Sequence, residues 1–165
     1  ELSGFKSFAK HTALEFPAQV SAIVGPNGSG KSNVVESIRW ALGEQAFKNL
    51  RGKKSEDFIF NGSSAAPKMG KASATLFFDA EKNPDFEYDE IIITRRVYRD
   101  GANEYLINNS QVRLKDVIEL LGRFGLGVSG HHIISQGEAD RILSVSPKER
   151  REMLEDALGL KIYQL

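Results

Sequence analysis

Cysteine is absent from the 165 residues, which excludes disulfides and thiolate metal sites and fits a reducing compartment. Histidine is scarce, with three residues at no spacing that makes a ligand set. An excess of either charge is also missing: 22 basic residues balance 22 acidic ones. Global attraction to nucleic acid is therefore not expected, and any such contact has to come from a local patch. No stretch approaches the roughly 20 apolar residues of a membrane span, and the first residues lack the basic start and apolar core of a signal peptide. A cytoplasmic protein without membrane contact is expected. Internal repeats and low-complexity tracts are lacking too, and a 41% hydrophobic content suffices for one good core, so one α/β unit is the starting expectation.

What is present begins with Gly25-Pro26-Asn27-Gly28-Ser29-Gly30-Lys31-Ser32, a complete P-loop directly after the apolar stretch Val20–Val24. That stretch is expected to be a buried strand. The glycines let backbone N–H groups turn toward phosphates, Lys31 suits the β and γ phosphates, and the Ser32 hydroxyl suits magnesium. After the loop, Val34, Val35, Ile38, Ala41 and Leu42 recur at helical spacing, with Glu36 and Arg39 on the other side. The positive end of that helix would add to the phosphate site. The pattern predicts a nucleoside triphosphate site.

Elsewhere the chain places strands early and helices late. His11–Phe16 alternates in part, as a half-buried strand would, and ends before Pro17. A basic, polar connection over Gln45–Glu56 leads to the apolar run Phe58-Ile59-Phe60, stopped by Asn61-Gly62, and Ser63–Gly70 is expected to be a loop. Strands are predicted over Ala72–Phe78, Ile91–Tyr98, Glu104–Ile107 and Ser110–Arg113, with Asn108-Asn109 as a hairpin turn that tolerates positive φ. These form an antiparallel β region. An amphipathic helix from Leu114, with Val117, Leu120, Leu121 and Phe124, should end at Gly125. A linker over Gly125–Gly130 then leads to a strand His132–Ser135. Ser146-Pro147-Lys148-Glu149 has capping-box residues with proline at the first helical position, so a last helix starts there and runs to Leu165.

Four segments together resemble the N-terminal head lobe of SMC (structural maintenance of chromosomes) proteins. They are Gly4-Phe5-Lys6-Ser7-Phe8, the P-loop with Asn33, Leu50-Arg51-Gly52 with the following Asp57–Ser63, and Ile134-Ser135-Gln136-Gly137. The resemblance covers essentially the whole chain. Leu42–Gln45 and Pro147–Arg151 look closer to the prokaryotic chromosome-condensing branch than to cohesin or condensin subunits. The resemblance implies an α/β fold: an ABC-type P-loop ATPase lobe with a mixed sheet, an antiparallel β region and helices leading into a coiled coil. Residues 1–160 would be the lobe and 161–165 the start of the coil. The opening at Glu1, without methionine, is read as the loss of a short first strand.

The family further implies ATP and Mg2+ as cofactors. Gln136 matches the Q-loop glutamine that reaches magnesium and the attacking water. Arg51 stands where an arginine finger approaches the phosphates in cis, and Lys6 and Ser7 could touch the nucleotide from the side opposite Gln136. Lys48, Lys53 and Lys54 could add contacts to DNA phosphates. Implied partners are the C-terminal lobe of the same chain, a second SMC head in a homodimer, a kleisin subunit and double-stranded DNA, at a nucleoid-associated location. The signature motif and the Walker B Asp-Glu pair belong to the other lobe, and neither is found in this sequence.

Two segments mimic those motifs. Leu76–Glu81 resembles a Walker B strand, but Ala80 occupies the place of the catalytic glutamate; a strand ending in a solvated acid is the simpler reading. Val128-Ser129-Gly130 has one glycine where the signature carries two, and His131 and His132 lack a third ligand. Other functions compatible with the sequence are a different coiled-coil ABC ATPase of recombination or repair, a transporter nucleotide-binding subunit, or a catalytically silent nucleotide-binding module. The Phe5–Phe8 start and the Arg51 segment argue against the transporter.

Overall fold

A computed structural model describes residues 1–81, 86–126, 133, 145–148 and 150–151, with only the backbone of Lys48 and Asn49. The chain divides into two compact units, Glu1–Val117 and Ile118–Leu165.

The first unit is a five-stranded sheet in sequential order, antiparallel throughout: β1 (Leu2–Ser3), β2 (Lys71–Asp79), β3 (Glu90–Tyr98), β4 (Asn103–Ile107) and β5 (Ser110–Val112). β2 and β3 pair along their full length, from Lys71 opposite Tyr98 to Asp79 opposite Glu90. The β4–β5 hairpin turns at Asn108 (φ 47°) and Asn109 (φ 65°), the residue type that tolerates left-handed backbone. The alternation and turn chemistry that predicted these four strands are realised within a residue or so at each end.

One helix, α1 (Lys31–Ala41), packs on β2 and β3. Ala72 and Ala74, successive inward positions of β2, have side chains small enough to admit the aromatic cluster of Phe5, Trp40 and Phe58. Leu50, Ile59 and Val97 close this core. Beyond α1, Gly43 N–H donates to Trp40 C=O and Glu44 N–H to Arg39 C=O, a pair of bonds that satisfies the last turn. Arg95 of β3 completes that cap from inside. Its Nη1 donates to the carbonyls of Trp40 and Glu44, both at 2.8 Å, and its guanidinium lies 4.8 Å from the Trp40 and Tyr105 rings. Burial pushes the Arg95 pKa down to about 10.

Two expected strands do not form. Val20–Val24 is not a strand: Val20 and Val24 are 88% and 87% exposed, and Ile23 is exposed as well. The apolar pattern there has no ladder partner among the described residues, and a strand exists only by pairing. His11–Phe16 contributes a single bridge, Thr12 with Leu2. The apolar run Phe58-Ile59-Phe60 has Phe58 and Ile59 buried, and Phe60 N–H donates to Gly4 C=O at 2.7 Å.

α2 (Leu114–Arg123) runs across the division between the units. In the second unit its end is closed by Gly125 N–H to Gly122 C=O and Leu126 N–H to Leu121 C=O, with Gly125 at φ 72°, the stop its sequence predicted. Pro147, Lys148, Arg150 and Arg151 are helical, and Arg150 N–H donates to Ser146 C=O at 2.9 Å, as a helix starting at Ser146 requires. The rest of the linker to Gly130, the strand His132–Ser135 apart from Ile133, the apolar positions of the last helix and the boundary at residue 160 lie outside the described residues. No described helix is long and apolar enough to cross a membrane.

Candidate nucleotide-binding site

The loop Gly25–Gly30 ends on the first turn of α1. Gly30 is the helix N-cap with φ 96°, a conformation that costs a residue with a Cβ, and Asn33 and Val34 N–H groups donate to its carbonyl. Gly28 also has positive φ, 82°, and its Cα faces open space. The Lys31 ammonium folds back over the loop and donates to the carbonyls of Gly25 (2.6 Å) and Pro26 (2.8 Å). Ser32 follows on the exposed side of the first helical turn. Left-handed glycines, the positive end of a helix dipole and a lysine laid over the loop form a cradle that fits a chain of phosphates. Among the described residues no cluster of three or more His, Cys, Asp or Glu could hold a metal. A magnesium ion held through one hydroxyl and the phosphates suits that donor set better than an all-protein cage.

Two other segments converge on the flank of the loop and meet α1 there. Ser7 Oγ accepts from Asn33 Nδ2 at 2.8 Å, and a Cβ on Gly30 would sit 3.0 Å from the same Oγ. Lys6 is the first central residue of the turn closed by Phe8 N–H to Phe5 C=O, and it has φ 47°. Its ammonium binds the Glu36 carboxylate and the Leu50 carbonyl (2.5 Å), and lies 5.6 Å from the Phe58 ring centre. Arg51, at φ 46°, binds the other Glu36 oxygen through Nε, and its Nη2 is 3.4 Å from Asn33 Oδ1. Lys6, Ser7, Asn33 and Arg51 thus lie together beside the P-loop.

Glu36 is the residue that sequence reasoning misplaced. Its charge put it on the wet side of α1, opposite Val34 and Val35, yet it is 7% exposed while Val35 is 42% exposed. The inward stripe of α1 is Val34, Ser37, Trp40 and Ala41 with Glu36. A carboxylate this deep is tolerable because two cations reach it. No signal local to the segment could have found it, because the cations that hold it, Lys6 and Arg51, are 30 and 15 positions away.

The remaining expected residues are scattered. Lys53 and Lys54 are exposed; Lys54 pairs with Glu56 at 2.6 Å, and only the backbone of Lys48 is described. Asp57 accepts from the Lys53 and Lys54 N–H groups, which hold its carboxyl below the usual carboxylate range. Asp79 ends β2 with its carboxylate accepting from Glu81 N–H, a local turn contact of the solvated kind expected for the Walker B mimic. Gln136, Val128-Ser129-Gly130, His131 and His132 lie outside the described residues.

Fold and site define a P-loop α/β lobe of the nucleotide-binding class. Comparison with known proteins makes the assignment specific. The family described as RecF/RecN/SMC N terminal domain matches residues 1–144, and the chain belongs to it, as the N-terminal lobe of an SMC head. The Chromosome partition protein Smc of Desulfitobacterium hafniense is 52% identical over an alignment of 165 positions that covers 99% of this chain and 14% of that protein. The Bacillus subtilis protein of the same name is 46% identical over 165 residues, with the same two shares. The chain therefore spans a small fraction of the length of these curated relatives. A structure from work on ATP-driven dimerization and DNA-stimulated activation of SMC ATPases superposes with TM-score 0.86 at 34% identity, covering 94% of this chain and 95% of that one. The Smc head domain of Pyrococcus furiosus, with an extended coiled coil and bound to the C-terminal domain of ScpA, gives TM-score 0.88 at 33% identity, over 99% of this chain and 42% of the other.

Proposed function

We propose that this lobe binds Mg2+-ATP in the cradle Gly25–Ser32 and forms one half of a head that hydrolyses ATP to organise, condense and segregate chromosomal DNA. The observation that carries this is the P-loop itself, with Lys31 laid over it and Lys6, Ser7, Asn33 and Arg51 gathered at its flank. When bound, the metal would neutralise phosphate charge, with Ser32 and Gln136 as its protein ligands. Lys31 would hold the β and γ phosphates and Arg51 would meet charge developing as the terminal bond loosens, a contribution of roughly 10³-fold or more in other NTPases.

The general base would come from the C-terminal lobe of the same polypeptide. In support, Phe16, Val20, Ile23, Val24 and Val35 leave an uncovered apolar set next to the P-loop in sequence. Such a set is what an apolar segment and a helix face present when the elements that cover them belong to another segment. A second head would complete the composite site, a kleisin would dock on the complex, and Lys48, Lys53 and Lys54 would meet DNA phosphates. The setting would be the cytoplasm, at the nucleoid.

The test is steady-state ATP turnover of this lobe alone and with a matching C-terminal head lobe, with and without duplex DNA. Turnover is expected only in the reconstituted head, raised by DNA. Lys31→Ala should weaken nucleotide affinity about 10- to 100-fold, from loss of charge-assisted bonds worth about 1.5–3 kcal/mol. Turnover by the lobe alone would place the base in this chain; binding without turnover in every mixture would leave a silent module.

A further inference from the structure

We propose that Glu36 is a positioning residue of the nucleotide site, its one carboxylate holding Lys6 and Arg51, from two separate loops, where they can serve the triphosphate. The proposal rests on the reading of Arg51 as a phosphate-contacting residue. Glu36 lies five residues after Lys31 on α1, so it is built into the same rigid element as the P-loop lysine. Both of its oxygens are engaged, Oε2 by Lys6 Nζ and Oε1 by Arg51 Nε.

The two cations share a second peculiarity. Lys6 and Arg51 are the two residues other than glycine and the hairpin asparagines that have positive φ among those described, 47° and 46°. That backbone region disfavours residues with a Cβ and persists where surroundings enforce it, often at ligand sites. Here the enforcement is a triangle: Lys6 binds Glu36 and also the carbonyl of Leu50, the residue directly before Arg51.

The ends of the triangle differ in a way that separates anchor from tool. The Lys6 side chain is 12% exposed, whereas that of Arg51 is 59% exposed. Glu36 grips Arg51 by Nε alone. Nη2 is left on the side of Asn33, two residues after Lys31, 3.4 Å from its Oδ1. An exposed arginine adds little stability by pairing, and a buried carboxylate between cations seldom outperforms apolar packing. Fixing the direction of a guanidinium that must meet phosphate explains the arrangement where stability does not.

The experiment is a mutant cycle in a full-length SMC chain carrying this lobe, with kcat and KM for ATP and a thermal midpoint for each variant. Glu36→Gln, which keeps size but not charge, is expected to lower kcat about tenfold, within the range that misplacement of a reacting group costs, while KM moves less than about twofold. Arg51→Ala should lower kcat at least as far, and Glu36→Gln added to it should cost less than about threefold more. Glu36→Asp, with charge restored on a shorter arm, should recover part of the turnover. Equal losses from Glu36→Gln in both backgrounds, tracking the thermal midpoint, would overturn the positioning role. If Arg51→Ala slows turnover and Glu36→Gln does not, the positioning role alone falls; if Arg51→Ala leaves turnover unchanged, the reading of Arg51 falls with it. Should Glu36→Gln not fold, the same cycle with Glu36→Asp decides between non-additive and additive losses.

Discussion

Gly52→Ala isolates the packing beneath Arg51 from its charge. A Cβ at Gly52 would lie 2.8 Å from Phe58 Cε1 and 3.2 Å from Cζ, closer than such atoms approach. The ring cannot retreat, because Phe5, Trp40 and Phe47 surround it at centroid distances of 6.2, 6.0 and 5.9 Å and it is 2% exposed. Overpacking of this kind costs about 1–3 kcal/mol, and the loop yields more readily than the core, carrying Arg51 with it. Urea unfolding of Gly52→Ala, Phe58→Leu and the double variant reads the effect. Phe58→Leu removes the ring edge that the methyl meets, so the double variant should lose about 1 kcal/mol less than the two single losses combined. Additivity within about 0.5 kcal/mol, or a Gly52→Ala protein as stable as the parent, would refute the reasoning.

Arg95→Lys keeps the charge but loses the plane that lies against Trp40 and Tyr105; a loss of about 1–3 kcal/mol is expected in urea unfolding, and no loss would show that the stacking is idle. Val20→Asp and Val24→Asp, at exposed positions, should change the stability of this lobe by less than about 0.5 kcal/mol. They should nevertheless weaken its titration with the C-terminal lobe at least about tenfold, as a charge placed in an apolar contact does. Asp57 has a folded-state pKa held below its unfolded value by two backbone donors, so its stabilising effect is present above the ordinary carboxylate range and fades as pH falls through the lowered value. The stability gap between the parent and Asp57→Asn should therefore shrink between about pH 6 and about pH 3; a gap that widens on acidification would contradict the assigned cause.

Local patterns were the legible part of this chain. The P-loop shows because phosphate binding demands glycines and a lysine within a few residues, and the β3–β5 hairpins show because alternation and Asn108-Asn109 act over short spans. The pattern at Val20–Val24 is equally clear, yet a strand needs a neighbour, and pairing is not a property of the segment itself. Glu36 and Arg95 were illegible for the opposite reason. A charged residue on a helix or strand suggests solvent, and burial follows only from partners 15 to 55 positions away in the chain. The placing of Lys6, Ser7 and Arg51 beside the loop came from family resemblance, since no local rule brings the three segments together.

β1 has a consequence for how the lobe is made. Residues 2 and 3 pair with residues 74 and 73, and the cluster around Trp40 includes Val97. At ribosomal speeds of about 5–20 residues per second, the phosphate loop and its helix emerge seconds before the strands that seat them, and Leu2 and Ser3 wait for residues 73 and 74. Until β3 has been synthesised, Phe5, Trp40 and Phe58 lack their platform and remain a target for chaperones. The site for nucleotide is translated ahead of the strands on which it is assembled.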